Sequence, residues 1–568
     1  MPSISSARPW LKQYPEEIPE SIQYEKKTLP EYLKEGAEEE PNKELLHFMG
    51  KTMTFGEVYK AACAFAAGLQ KLGVHKGDRV AIMLANTPQS VISYYGTLLA
   101  GGVVVQTNPL YVERELEHQL IDSEAKVMIC LDLVYPKVQA VQKKSKLEHV
   151  VVTKIKDYLP FVKGLIYPFI QKKNTGIDPD ISYGNTTHNF QSFLRNAPKM
   201  PTPVEVAPDK DLALLQYTGG TTGAAKGVML THLNLVANTT QCSQWMYNMK
   251  QGEEVILCAL PFFHVYGMTV GMNYSVMERS KMVILPKFDT TQTLKAIQSQ
   301  KVTIFPGAPT MYVGLIHDEN VNKYDLSSIK VCISGSAPLP LEVQQRFEQL
   351  TGGKLSEGFG LTEASPVTHF NLMWGKRPPG SIGLPWPDTD VVVWNAEAEE
   401  EADPGEVGEL LIRGPQVMQG YWKRPEETAS ALQNGWLYTG DMGYMDEEGY
   451  FYIVDRKKDM IIAGGFNIYP REIEEVLYEH EAVKEAVAMG IPDPYRGETV
   501  KAYIVVKEGQ KVTEKELDQY CRSQLASYKI PRKYEFREEL PKTMVGKVLR
   551  RALQEEEKEK EKERQKSG

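Results

Sequence analysis

Twelve residues near the middle of the chain, Tyr217-Thr-Gly-Gly-Thr-Thr-Gly-Ala-Ala-Lys-Gly-Val228, hold four glycines, three threonines and one lysine. Gly219, Gly220 and Gly223 let the backbone bend and bring its N–H groups close to an anion. Thr218, Thr221 and Thr222 add hydroxyl donors, and Lys226 adds a point charge. This equipment suits a polyphosphate. It is not the common nucleotide loop, in which Ser or Thr follows the lysine of G-x-x-x-x-G-K. Gly227 follows Lys226 here, and the interval from Gly219 to Gly223 does not match. A surface loop of small polar residues has the same composition, so the stretch alone does not decide.

Other stretches carry site chemistry. Ser334-Gly-Ser-Ala-Pro338 follows an apolar run, and a ligand can sit at such a carboxyl edge of a sheet. Gly358-Phe-Gly-Leu-Thr-Glu363 sets a hydroxyl and a carboxylate beside glycines, and Tyr438-Thr-Gly-Asp441 ends in an aspartate. Asp455-Arg456, Gly464-Gly465 and Pro541-Lys-Thr-Met-Val-Gly-Lys547 follow in order. Each alone is ordinary surface chemistry. Their order and spacing together carry the information.

The elements that must position these residues alternate. Thr54 and Glu57 form a capping box ahead of Val58, Ala61, Ala62, Phe65 and Leu69 at helical spacing, with Gly73 as the stop. Val80 to Leu84 reads as a strand, Ser90 to Ala100 as a helix, Val103 to Val105 as a strand, Glu113 to Ser123 as a helix and Val127 to Leu131 as a strand. Leu212 to Leu215 and Val228 to Leu230 bracket the glycine-rich loop as strands. Later strands are expected at Val255 to Leu260, Met282 to Leu285, Val302 to Phe305 and Ile329 to Ser334, and a helix at Leu341 to Leu350. This rhythm predicts an α/β fold with largely parallel, layered sheets. From Gly380 the texture changes to short strands and turns.

A second domain of α+β pattern is expected from Arg456, dividing the chain into 1–455 and 456–568. Its charged tail, 555–568, reads as a solvated, fraying helix with pairs such as Glu556 and Lys560. Between the two regular regions, Tyr158 to Ile170 is aromatic and apolar, with Lys172 and Lys173 just beyond. It is too short and interrupted to span a bilayer. It reads either as a cover on the domain or as a segment touching a membrane surface.

Bulk properties agree with a multi-domain globular chain. The 568 residues are 42% apolar and 24% charged, and the net charge of −9 gives no electrostatic reason to expect nucleic acid. The six cysteines are scattered without a C-x-x-C pair, which suggests a reducing compartment and no zinc site of the usual spacing. The N-terminal stretch has no signal-peptide core.

Taken together, these motifs resemble the adenylate-forming acyl-CoA synthetase family, which includes luciferases and the adenylation domains of peptide synthetases. The resemblance runs from about Pro30 to Arg551. Ala225 replaces the frequent proline before the loop lysine. Leu260-Pro-Phe-Phe-His-Val-Tyr-Gly267, Phe305-Pro-Gly-Ala-Pro-Thr310, the insertion after Asp157 and Leu525-Ala-Ser-Tyr-Lys-Ile-Pro531 look most like the bacterial long-chain fatty-acid–CoA ligases within it.

The resemblance implies a large N-terminal domain of layered sheets with a β-barrel-like subdomain, and a small mobile C-terminal domain. It implies ATP, Mg²⁺ and coenzyme A as co-substrates and cofactors, and a fatty acid as substrate. Thr218 to Lys226 would hold the β- and γ-phosphates, Thr362 the α-phosphate, and Glu363, with Thr218, the metal. Gly335, Ser336, Ala337 and Pro338 would border adenine, with Phe359 stacked on it and Gly360 beside it. Asp441 would accept from the ribose hydroxyls, near Arg456. Lys547 would bridge the fatty carboxylate and the α-phosphate. Lys458 aligns with the hinge, Gly464 and Gly465 with the pantetheine path, and His264 with the acyl pocket near the reacting carboxylate. A cytoplasmic protein, a homodimer and peripheral contact with the inner face of a membrane through 158–173 are further expectations. Medium-chain or aryl acids such as 4-coumarate, an adenylation domain, and a non-catalytic nucleotide-binding or fatty-acid transport protein are the rival readings. Gly227 disfavours a P-loop kinase.

Overall fold

The computed structural model describes residues 8–567 except 178, 219–224, 464–465, 494–495 and 544–547, and leaves out the side chains of 466–467 and 561–567. Contacts group the chain into two units: Leu11–Thr389 with Arg413–Gly435, and Met1–Trp10 with Asp390–Ile412 and Trp436–Gly568.

The larger unit is layered. Strands Arg79–Met83 (β1), Val103–Gln106 (β2), Val127–Leu131 (β3), His149–Thr153 (β4) and Leu212–Thr218 (β5) pair in parallel in the spatial order β5-β2-β1-β3-β4. Lys226–Thr231 (β6) returns antiparallel onto β5. Every residue of β2 and β3 is buried, as expected of parallel strands covered on both faces.

The second sheet has the same logic. Val255–Cys258 (β7), Lys281–Ile284 (β8), Ile304–Gly307 (β9), Val331–Ser334 (β10) and Lys354–Gly360 (β11) lie parallel in the order β11-β10-β9-β7-β8, and Val367–Phe370 (β12) folds back on β11. The helix Pro88–Leu99 is buried at every position but its last. A helix buried on all sides, its polar Gln89, Ser90, Ser93 and Thr97 included, belongs inside a layered core. Its Gly96 packs where a Cβ would come within 2.9 Å of Ala62 O on the helix Phe55–Lys71. That helix starts at Thr54, whose hydroxyl accepts from Glu57 N while the Glu57 carboxylate accepts from Thr54 N, the capping box read from the sequence.

In the smaller unit Asp390–Asn395 (β13), Gly408–Arg413 (β14), Trp436–Met445 (β15) and Phe451–Arg456 (β16) form an antiparallel sheet. Ile461–Ala463 (β17), Val483–Asp493 (β18), Gly497–Val506 (β19) and Lys533–Arg537 (β20) form another, centred on β19. Its core takes Ile473 and Leu477 from the helix Pro470–Glu479 and Leu517 and Cys521 from Glu514–Gln524.

The final helix, Arg550–Ser567, contains the charged tail expected from 555 and is tied to the domain over its described part, as far as Lys560. Leu553 is fully buried against Val487, Met489 and Tyr503. Glu556 pairs with Arg537, and Lys560 pairs with Glu535 and Glu557, in place of the local Glu556–Lys560 pair. Lys501, itself buried, bonds both Glu535 and Glu557. One apolar side chain and a set of charges on β19 and β20 hold the helix down.

Candidate active site

In the larger unit the hairpin β5–β6 presents the glycine-rich loop. Thr218 stands opposite Lys226 in register. Gly219, Gly220, Thr221, Thr222 and Gly223 lie outside the described residues. The base of the hairpin is tied through Asp122. Tyr217 OH donates to Asp122 Oδ2 (2.6 Å), Trp422 Nε1 to its carbonyl (3.0 Å), and Arg424 pairs with Oδ1 (3.2 Å). Gly227, the residue that departs from the common nucleotide loop, has a steric reason. A Cβ there would sit 3.2 Å from the Tyr217 ring and 3.4 Å from Trp422 Cβ.

The Glu363 turn is joined to this hairpin. Strand β11 ends at Gly360, where a Cβ would lie 2.3 Å from Pro366 O, so no other residue fits so close to the returning strand. The turn Thr362–Ala364 follows. Glu363 O accepts from Met418 N (2.8 Å), and Glu363 Oε1 accepts from Tyr421 OH (2.8 Å). The Lys226 ammonium lies 5.2 Å from the centre of the same Tyr421 ring, within cation–π range. Tyr421 therefore links the loop lysine to the carboxylate. The two-residue strand Gly420–Tyr421 holds it there by pairing with Met229 and Val228 on β6.

His264 sits half-buried in the turn after β7, fastened from the first sheet. Asn86 donates to Cys258 O (3.2 Å) and Leu260 O (2.7 Å) and accepts from Phe262 N (2.7 Å). Gln216, two residues before Thr218, donates to Phe263 O (2.9 Å). A π-helical segment, Gly267–Asn273, follows, and Thr269 Oγ1 donates to Ser365 O beside Glu363 (2.8 Å). His264, the loop base and Glu363 are thereby brought to one region. The aromatic and aliphatic segments Phe262 to Met268 and Phe305 to Tyr312 also converge, because Tyr266 OH and Tyr312 OH both donate to Ile333 O (2.9 Å each).

Ile333 precedes Ser334 at the carboxyl end of β10, and Gly335 to Pro338 continue from it. Gly335 is buried and faces Tyr266, whose ring a Cβ would approach to 3.2 Å; Ser336 takes a left-handed φ of 73°. Phe359 is half-buried and edge-on to His369, ring centres 5.9 Å apart.

Burial pushes the His369 ring down to about 3 and the His232 ring to about 4. Both rings stay neutral in the folded protein. An unfolded histidine protonates near pH ~6.5, so between that value and the folded ones the unfolded chain binds more protons. Stability present above ~6.5 is thus lost as pH falls, by up to about 1.4 kcal/mol per unit and per ring. Urea unfolding between pH 7 and 5 should show this slope, and His369→Gln should reduce it. An unchanged slope in that variant would refute the assignment.

The smaller unit holds the second group. Asp441, 2% exposed, stands opposite Arg456 in register on β15 and β16, with Arg456 Nε 2.8 Å from Oδ1. Thr439 Oγ1 accepts from Asp441 N (3.0 Å). Lys458 lies in the turn after β16, where Asp459 N and Met460 N both donate to Arg456 O. Burial away from water lowers its ammonium pKa first, and the Arg456 charge second. Gly464, Gly465 and Lys547 lie outside the described residues. The stem of the Lys547 turn is nevertheless defined: Lys542 bridges Val548, Leu549 N donates to Pro541 O (2.8 Å), and Lys542 pairs with Glu485. Arg550 then pairs with Asp455, Asp459 and Glu474, anchoring the start of the last helix beside the Lys458 turn.

Glu363 fits Mg²⁺. One carboxylate oxygen takes a hydroxyl, and no ion pair engages Glu363 among the described residues. No cluster of three metal-ligating side chains occurs among the described residues, so a metal here would lean on one carboxylate, phosphate oxygens and water, which is how Mg²⁺ is commonly held.

Tyr421, Asn86, Gln216 and Arg550 escape a reading of motifs. Only the aromatic pair Tyr421-Trp422 between polar residues offers a signal in the sequence.

Comparison with known proteins identifies the relatives of the chain. The chain is 56% identical to a long-chain-fatty-acid–CoA ligase of Bacillus subtilis, over 98% of this chain and 99% of the relative. It is 40% identical to one of Yersinia pestis, over 96% and 98%. The crystal structure of ATP-bound MatB from Rhodopseudomonas palustris superposes with a TM-score of 0.81 at 29% identity, covering 93% of this chain and 98% of that one. Residues 33–422 match the model of the AMP-binding enzymes, and 472–547 match the model of their C-terminal domain. Loop, carboxylate turn and paired aspartate thus occur in a chain that belongs to the AMP-binding enzyme family.

Proposed function

We infer that the protein is an AMP-forming long-chain-fatty-acid–CoA ligase. The observation that carries this reading is the similarity, along nearly the whole chain, to the Bacillus subtilis ligase. A fatty carboxylate oxygen attacks the α-phosphorus of ATP, and pyrophosphate leaves. The coenzyme A thiolate then attacks the acyl carbon, and AMP leaves. The first step needs positioning and charge neutralisation more than covalent catalysis.

The loop from Thr218 to Lys226 holds the terminal phosphates in this reading, and Thr362 the α-phosphate. Mg²⁺ at Glu363, with Thr218, would neutralise phosphate charge. Tyr421 supports it by fixing the Glu363 carboxylate against the loop lysine. Asp441 accepts from the ribose hydroxyls, aligned by Arg456. Gly335 to Pro338, Phe359 and Gly360 border adenine, and His264 stands at the reacting end of the acyl pocket. Lys547 serves adenylation. Rotation of the C-terminal domain, 456–568, about Lys458 then brings Gly464 and Gly465 to the pantetheine.

Acids of graded length test the reading through pyrophosphate release with and without coenzyme A. The segments Phe262 to Met268 and Phe305 to Tyr312 are aromatic and aliphatic, and each buried methylene contributes about 0.8 kcal/mol at most. kcat/KM should climb with chain length until the pocket is full, with AMP as product. Hydroxycinnamates outperforming long-chain acids would hand the assignment to an aryl ligase, and ADP as product would overturn the family chemistry.

A further inference from the structure

The helix Phe161–Thr175 has no buried residue. Phe161, Val162, Leu165, Ile166, Phe169 and Ile170 recur in pairs four positions apart, so they share one face. That face is open: Phe161 is 81% exposed, Phe169 77% and Val162 66%. The other face is pinned to the domain. Gly164 lies where a Cβ would approach Lys156 O to 3.2 Å, burial raises the Tyr167 hydroxyl, and Gln171 Nε2 donates to Asp132 Oδ2 (3.3 Å). Lys163 donates to Met49 O (2.9 Å). The apolar stripe is therefore held outward by contacts on the opposite side.

Charge around the stripe selects its partner. Between Lys154 and Lys173 there are five lysines and one aspartate, an excess of four positive charges in a chain whose net charge is −9. Two copies meeting through this stripe would set those lysines against each other. An anionic lipid surface takes both the apolar face and the lysines. No helix among the described residues is long and apolar enough to cross a membrane. At 15 residues and ~1.5 Å each this one is about 22 Å long, suited to lying in the interface plane.

We propose that the helix Phe161–Thr175 docks on an anionic bilayer, its six apolar side chains among the acyl chains and Lys172 and Lys173 among the headgroups. The choice of lipid rests in part on the ligase reading, since a long-chain acid concentrates in membranes. The helix face and its charge support it independently.

Sedimentation of the full-length protein with vesicles tests this. The vesicles are phosphatidylcholine with a quarter phosphatidylglycerol, set against phosphatidylcholine alone. The protein should sediment with the anionic vesicles, and Phe161→Asp with Phe169→Asp should lower the partition coefficient by about tenfold or more. Lys172→Glu with Lys173→Glu should abolish the preference for anionic lipid. Both variants should retain wild-type thermal midpoints and wild-type turnover of octanoate in solution, which reads the ligase assignment separately. Vesicle binding unchanged in the double aspartate variant overturns the proposal. So does a dimer that this variant disperses without any vesicle binding, which would mean the stripe faces a second copy.

Discussion

Lys547→Ala is expected to slow acyl-adenylate formation by about a hundredfold or more while leaving thioester formation from supplied acyl-adenylate within about twofold. The lysine would meet charge that develops on the α-phosphate as the carboxylate attacks. An unmet charge in a water-poor site costs several kcal/mol in the transition state. In the second step charge develops on the α-phosphate again as AMP leaves, but in the proposed mechanism the C-terminal domain has by then turned the lysine away. Lys458→Pro should give the reverse pattern. Lys458 is the middle of a tight turn, and fixing its φ obstructs rotation without removing a group that adenylation uses. The half-buried pairing of Arg550 with Glu474 and Asp455 gives each variant a control. Because Arg550 fixes the helix that follows Lys547, a lysine truncated at residue 547 leaves the scaffold in place. Stopped-flow measurement of each half-reaction decides. Equal losses in both steps for both variants would mean that the mutations only loosen the C-terminal domain.

Glu363→Gln should lower adenylation by about a hundredfold and raise the Mg²⁺ concentration needed for half-maximal pyrophosphate release. The amide keeps the shape and can still accept from Tyr421, so the change isolates the charge. Tyr421→Phe should give a smaller loss, about tenfold, because a hydrogen bond to a charged group contributes about 1.5–3 kcal/mol and part of the positioning survives in the ring. Its ring can still lie beneath Lys226. The Mg²⁺ titration separates the roles. A Glu363→Gln variant with wild-type Mg²⁺ dependence would remove the carboxylate from the metal site.

What could be read from the sequence was local. Glu113–Ser123 and Val127–Leu131 emerge at the expected bounds because helical spacing and an apolar run are properties of neighbouring residues. The capping box at Thr54 and Glu57 forms for the same reason. Glycine-rich turns likewise mark where a strand ends and a ligand can approach. The Tyr421 contact could not be read, since its partners are Glu363 and Lys226 and its strand is two residues long, too short for any period to show. Asn86 and Gln216 are alike: each is an ordinary amide until the second sheet is laid beside the first. The seat of the tail could not be read because Glu and Lys dominate it, and the one buried leucine and the distant Arg537 and Lys501 decide where it rests.

The hairpin strands on either side of the glycine-rich stretch have a consequence for product release in the proposed reaction. In nucleotide loops that run straight into a helix, the helix N-terminus supplies about half a positive charge that never leaves. Here β6 stands between the loop and the helix His232–Trp245, and six extended residues at ~3.3 Å each put about 20 Å between them. That helix end is moreover satisfied by its own cap, Thr231 accepting from Asn234 N. In the proposed reaction, positive charge at the loop would accordingly come from the Lys226 side chain and from a diffusible Mg²⁺ ion. A permanent dipole would hold pyrophosphate as firmly after the reaction as it held ATP before it. Under the proposed function, charges that can swing aside or depart with the product would let the loop empty before the thiol enters.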